Sequence, residues 1–274
     1  MSQHLSNSEG KVASADWLDR YPGGWQILIA EQGVEYSELY GEASLAAWKV
    51  EEYSESVILA SLKLTSSSLS LIRRIKVEDS HVHISDTVEN LSSISREISW
   101  VSHPAFGTPL LEVGSKIVTD AKTLTLEPGR WPYNPANEVT ELVKMKSTKA
   151  DIDLSVIPEL PRDLFATLSG FEDGYAAIVN DRLDIGVLLS WDLEIFPYVW
   201  FWQDLMANQE SPWLGRAYVT AIEPSNHKPQ SVGSLVVLPN SQITTSVTLS
   251  VFNNVKDESA LEDVRRAARN FINY

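Results

Sequence analysis

Along most of the chain, apolar and polar residues alternate with a period of two in short runs separated by turn residues. His81 to Val88 alternates without a break, and Leu69 to Val77 alternates with one. Val57 to Leu64 is a third run, and Glu78-Asp79-Ser80 supplies a hairpin turn between the other two. Side chains on a strand point to its two faces in turn, so each run predicts a strand with one face buried. Further strands are predicted over Trp25–Ala30 after the turn Pro22-Gly23-Gly24, over Lys116–Val118 and over Thr123–Glu127. The β pattern continues over Phe165–Leu168, Gly174–Val179, Ile185–Ser190, Tyr198–Asp204, Ala217–Ile222, Leu235–Leu238 and Thr244–Phe252. Only the last segment changes period. Leu261, Val264, Ala268 and Phe271 recur at helical spacing, with Ser259 and Glu262 forming a capping-box pattern.

This pattern predicts an all-β chain, a large antiparallel two-sheet sandwich closed by a C-terminal α-helix over 257–272. Residues 1–15 are polar and are expected to be a mobile N-terminal segment, leaving 16–274 as one domain. Pro128–Asn137 and the stretch 138–163 are loop-rich; Trp131 and Tyr133 there suit either a lid over a pocket or simple surface packing.

The composition narrows the partners. With 22 basic and 37 acidic residues the formal net charge is -15, which disfavours nucleic acid and anionic membranes. There is no cysteine, hence no disulfide or thiolate metal site, and no apolar leader or membrane span is legible. The expectation is a soluble, cytoplasmic protein without membrane contact; a homo-oligomer stays open.

Chemistry can reside in few places. No Gly-rich phosphate loop, H-E-x-x-H or G-x-S-x-G is present. His81 and His83 share one strand face, an arrangement that could begin a metal site but that reads as a polar stripe opposite Val82 and Ile84. His103, in W-V-S-H-P-A-F-G-T-P-L-L, and Glu223, in A-I-E-P-S, both precede a proline at a predicted strand end. A histidine and a glutamate so fixed suit proton transfer on a neutral substrate. Trp200 and Trp202 share one face and form either core or a platform for a sugar ring. Arg74 and Arg216 are either substrate ligands or surface ion pairs, and His227 reads as a surface loop residue.

The segments R-Y-P-G-G-W-Q-I-L, L-Y-G-E-A, H-P-A-F-G-T-P-L-L, F-P-Y-V-W-F-W-Q and A-I-E-P-S resemble, in order, motifs of the aldose 1-epimerase (galactose mutarotase-like) superfamily. The chain is similar to its divergent members. The resemblance implies the supersandwich topology and a carbohydrate as small-molecule partner. It also implies interconversion of sugar anomers by ring opening, without metal or organic cofactor. Glu223 matches the general base at the anomeric hydroxyl and His103 the general acid at the ring oxygen. A further histidine of the family, in H-G-E, is here Tyr40, which can orient a hydroxyl but not supply an imidazolium. Arg74 lies on a strand resembling one that flanks the family's pocket. Two alternatives stay open: a carbohydrate-binding protein without catalysis, and a lyase or isomerase acting on a modified sugar.

Overall fold

The computed structural model describes residues 23–31, 41–127, 139–140, 145–146, 151–229, 231 and 235–272. Its strands in chain order are β1 (Trp25–Glu31), β2 (Lys49–Tyr53), β3 (Val57–Lys63), β4 (Leu69–Glu78), β5 (His81–Asn90), β6 (Arg96–Phe106), β7 (Lys116–Thr119), β8 (Thr123–Leu126) and β9 (Val139–Thr140). They continue with β10 (Met145–Lys146), β11 (Asp151–Ile152), β12 (Arg162–Ser169), β13 (Tyr175–Asn180), β14 (Ile185–Trp191), β15 (Tyr198–Leu205), β16 (Tyr218–Ser225), β17 (Leu235–Val237) and β18 (Gln242–Asn253). One helix, α1 (Glu258–Ile272), follows. The expected mobile segment 1–15, Tyr40, and Trp131 and Tyr133 lie outside the described residues.

The strands form two large antiparallel sheets, and β10 and β11 pair separately as a two-stranded one. The first runs β1-β6-β16-β15-β12-β8-β9, with β17 also on β6; the second runs β2-β3-β4-β5-β18-β14-β13-β7. Their facing sides share one core that includes Ile27, Ile29, Leu71, Val88, Trp100, Phe201, Ile222 and Val247. Trp100 meets Phe196 edge to face at 5.7 Å. The outer side of the first sheet carries a separate buried cluster of Leu28, Val101 and Trp200, against which Phe165 packs. Strands β1, β6 and β15 are thus buried on both faces, which is why W-Q-I-L-I-A reads as a nearly unbroken apolar run.

Helix α1 covers part of the outer side of the second sheet. Ala260, Leu261 and Val264 pack on Tyr175 and Phe252, and Arg265 lies 4.5 Å over the Tyr175 ring while pairing with Asp173 at 2.6 Å. Its cap differs from the expected Ser259–Glu262 box. Asp257 accepts from the Ser259 backbone N–H at 2.9 Å, because a carboxylate just before the first turn reaches the second N–H directly. No helix among the described residues is long and apolar enough to cross a membrane.

The Y-G-E segment has a structural logic of its own. Gly41 has φ +64°, and a Cβ there would stand 1.7 Å from the Ile29 carbonyl oxygen of β1. Glu42 accepts hydrogen bonds from the backbone N–H and hydroxyl of both Thr65 and Ser66. Burial would raise its pKa; the Ser66 and Thr65 donors outweigh this and bring it down to about 2. Gly41→Ala is expected to cost well over ~1 kcal/mol, from the left-handed backbone and the clash together. A urea midpoint equal to wild type would contradict this close approach.

Candidate functional site

Side chains on successive strands of one sheet line up in rows across it, and the rows of the first sheet bring distant parts of the sequence together. Gln26 of β1 pairs with His103 of β6, and Trp200 of β15 pairs with Glu223 of β16. The β6–β16 ladder links these halves. Its partners run Thr220 with Phe106 and Ala221 with Ala105, then skip to Ser225 with Val101. In that register Glu223 falls opposite His103, so Gln26, His103, Glu223 and Trp200 form one row on the outer face.

The skipped register has a cause in the sequence. His103 and Glu223 are each followed by a proline, and proline has no N–H to give to a ladder. Both prolines therefore sit where the ladder is interrupted, beside the two titratable groups. The sequence pattern placed His103 and Glu223 at strand ends. Instead β6 runs on to Phe106 and β16 to Ser225, and the prolines open a gap inside the sheet.

At that gap His103 Nε2 stands 3.4 Å from Glu223 Oε1. Both are buried, at 5% and 2% exposure. Burial disfavours the imidazolium and pushes the His103 pKa down to about 4, against a smaller opposing effect of a backbone hydrogen bond. The segment after Glu223 is pinned to β6. Asn226 Nδ2 donates to the Ile98 carbonyl at 2.9 Å, and Asn226 Oδ1 accepts from the Trp100 N–H at 2.8 Å, continuing the ladder with a side chain.

His227 corrects an expectation. It is buried rather than on the surface, at 6% exposure. Its carbonyl accepts from Trp200 Nε1 and from Ser225 Oγ, both at 2.8 Å, and its ring meets Trp200 edge-on at 5.0 Å. Burial lowers its pKa to about 4. His227 acts as a brace for the Trp200 indole.

The other expected site residues divide. Trp200 and Trp202 lie on the right face, but both are buried, and Trp200 is clamped on three sides by Phe165, His227 and its own N–H bond. They form the wall of the site more than an open platform. Arg216 lines a cleft of about 360 Å³ together with Gly23, Gly24, Ala105, Phe106, Trp213 and Val219. Arg74 is not brought there. It pairs with Ser85 on the outer side of the second sheet and is exposed.

The neighbouring Arg73 is the one that reaches β1. It makes two 2.7 Å bonds to Asp86 and one of 3.0 Å to the Trp25 carbonyl, next to Gln26. The run I-R-R-I gives no means of telling which arginine points inward until its register is known. Gln26 was also missed as a site residue, although it lies within the G-G-W-Q segment. Its Oε1 is buried and accepts no hydrogen bond among the described residues. His81 and His83 stack at 5.8 Å on the second sheet and reach Ser250 and Thr248. Among the described residues no three His, Cys, Asp or Glu side chains cluster as metal ligands.

A family model described as a domain of unknown function, DUF4432, matches residues 55–235, more than half of the chain. The chain belongs to the DUF4432 family. No curated protein matches this DUF4432 chain. Solved structures do. A galactose mutarotase-like protein from Clostridium acetobutylicum is 14% identical, with TM-score 0.61 over 87% of this chain and 82% of that one. Another galactose mutarotase-like protein, from Lactobacillus casei, is 17% identical with TM-score 0.55 over 83% and 84%. An aldose epimerase homologue from C. elegans is 12% identical with TM-score 0.57 over 77% and 70%. The DUF4432 chain therefore has the galactose mutarotase-like fold, as its ordered motifs implied.

Proposed function

We propose that this protein interconverts the anomers of a reducing sugar, with Glu223 as general base and His103 as general acid. The observation that carries this reading is the row Gln26–His103–Glu223–Trp200, with acid and base 3.4 Å apart on one buried face. The anomeric hydroxyl oxygen and the ring oxygen are bonded to the same carbon. Groups that serve both must stand side by side. Carboxyl pairs that cleave glycosidic bonds instead stand about 5–9.5 Å apart, with the bond between them. Here Glu223 takes the proton of the anomeric hydroxyl, His103 gives one to the ring oxygen, and the ring opens to the aldehyde. Rotation about the bond between the aldehyde carbon and its neighbouring carbon and reversal of the two transfers close it on the other face. Gln26 offers its amide oxygen to a sugar hydroxyl.

The protonation states fix the expected pH dependence. As acid, His103 must carry a proton; as base, Glu223 must be ionised. Burial holds His103 at about 4, so the competent fraction falls as pH rises above that value. We expect kcat/KM for anomer exchange to peak on the acid side of 6.5 and to fall about tenfold per pH unit above its optimum. A corrected profile that is flat or rising between about pH 6 and 8 would remove His103 from the acid role.

The same burial favours a second reading, in which the neutral imidazole and Glu223 hold a sugar without turning it over. A bound sugar whose anomers exchange only at the solvent rate would establish that reading in place of the first.

A further inference from the structure

The geometry points to an anionic substituent on the sugar, a carboxylate or a phosphate, seated in the cleft beside the His103–Glu223 pair and held by Arg216. This rests on the reading of that pair as the place where the sugar's anomeric carbon lies.

The floor between the pair and the cleft is built from small residues. One step along the strands from His103 and Glu223, on the same face, come Ala105 and Ala221, which are each other's cross-strand partners. Gly24, just before β1, comes next, its carbonyl accepting from the Ala105 N–H at 3.2 Å. Two residues on a strand span about 7 Å, a distance covered by a pyranose only together with its exocyclic carbon and the anionic group on that carbon. A ring whose anomeric carbon sits at the pair would therefore extend over the two alanines and place its far substituent in the cleft. Trp202 pairs with Ala221 on the remaining side and meets Trp213 of the cleft at 5.3 Å.

Arg216 is the group at that end, and like Arg74 and Arg162 it holds no carboxylate among the described residues. Arg73, Arg96, Arg182, Arg265 and Arg266 each hold a carboxylate. The guanidinium of Arg216 has neither an ion pair nor a hydrogen bond among the described residues, yet it lines the cleft. The loop that carries it is tied down. Asp204 Oδ1 accepts from the N–H groups of Ala207 and Asn208, Gly215 N–H donates to the Asn208 carbonyl at 2.7 Å, and Arg216 N–H donates to the Trp213 carbonyl at 2.9 Å. An exposed guanidinium fork whose backbone lies in an ordered loop, with no carboxylate competing for it among the described residues, suits two-point recognition of a carboxylate or phosphate. In a chain of net charge -15, such a ligand needs a local cation.

The test compares glucose and galactose with glucuronate, galacturonate and glucose 6-phosphate, by calorimetric or NMR titration and by anomer exchange in parallel. The proteins are wild type, Arg216→Gln and Arg216→Lys. Wild type is expected to bind at least one anionic series about 10- to 100-fold more tightly than its neutral parent. In Arg216→Gln the anionic-to-neutral ratio should collapse to near one; in Arg216→Lys, which keeps the charge but not the fork, it should fall part-way. The uronate and phosphate arms tell which anion the cleft takes. Equal ratios in wild type and Arg216→Gln, a preference for neutral sugars, or no binding of any anionic sugar would each overturn the proposal. Exchange accelerated without anion preference would leave the anomer reading standing and remove the subsite. Anion-selective binding that Arg216→Gln abolishes, without acceleration, would do the reverse.

Discussion

Glu223→Gln is expected to lower the rate of enzyme-accelerated anomer exchange by about 10²- to 10⁴-fold, the range attributed to a positioned base. The substitution keeps size and one acceptor oxygen while removing the group that takes the proton. Glu223 is 2% exposed and lies 3.4 Å from His103 Nε2, so no other carboxylate can take its place without rebuilding the sheet. Sugar affinity should change far less than the rate, since Gln26, Trp202 and the cleft are untouched. Saturation-transfer NMR gives the exchange rate, and titration gives the affinity on the same samples. A Glu223→Gln protein that exchanges anomers at the wild-type rate would exclude this residue as the base.

The second large effect concerns stability. Arg73→Ala is expected to destabilise the fold by ~3–5 kcal/mol, because it strands a buried carboxylate. Asp86 is 4% exposed and receives both Arg73 Nε and Arg73 Nη2 at 2.7 Å, while Arg73 Nη1 binds the Trp25 carbonyl. This three-point clamp joins the second sheet to β1 of the first, one residue from Gln26. Arg74→Ala, one position along and exposed on the outer side, should stay within ~0.5 kcal/mol of wild type. Urea unfolding of the two variants side by side separates them. Replacing Arg73 and Asp86 together by leucines should recover much of the loss, since the cost comes from the unpaired charge. Equal midpoints for Arg73→Ala and Arg74→Ala would contradict the inward register of β4.

The strands were legible because a half-buried strand writes its burial into every second residue. His81–Val88 and Leu69–Val77 appear where their alternation predicts, extended by one to two residues at their ends. The helix was legible for the same reason at its own period, although its cap fell to Asp257. What the residues alone could not supply was pairing. Nothing in A-I-E-P-S or H-P-A-F says that the two lie opposite each other; the ordered motifs implied it, and the register of β6 on β16 provides it. Proline was read as a strand terminator, whereas here two prolines on adjacent strands interrupt the ladder between them. Arg73 rather than Arg74 faces inward, which the run I-R-R-I does not reveal because a one-residue change of register exchanges the two faces of a strand. The loop of Trp213 and Arg216 has no period at all. Its place beside the site follows from contacts such as that of Trp213 with Trp202 of β15, which leave no local signature.

In the proposed reaction His103 and Glu223 move protons on the two oxygens of one anomeric carbon. The most direct measurement is two-dimensional exchange NMR of wild-type protein with a panel of neutral and anionic reducing sugars, repeated with His103→Gln. Exchange cross-peaks between α and β anomers are expected for at least one sugar, far above the solvent rate with wild type and close to it with His103→Gln. Solvent-rate exchange for every sugar with wild-type protein, or undiminished exchange with His103→Gln, would contradict it.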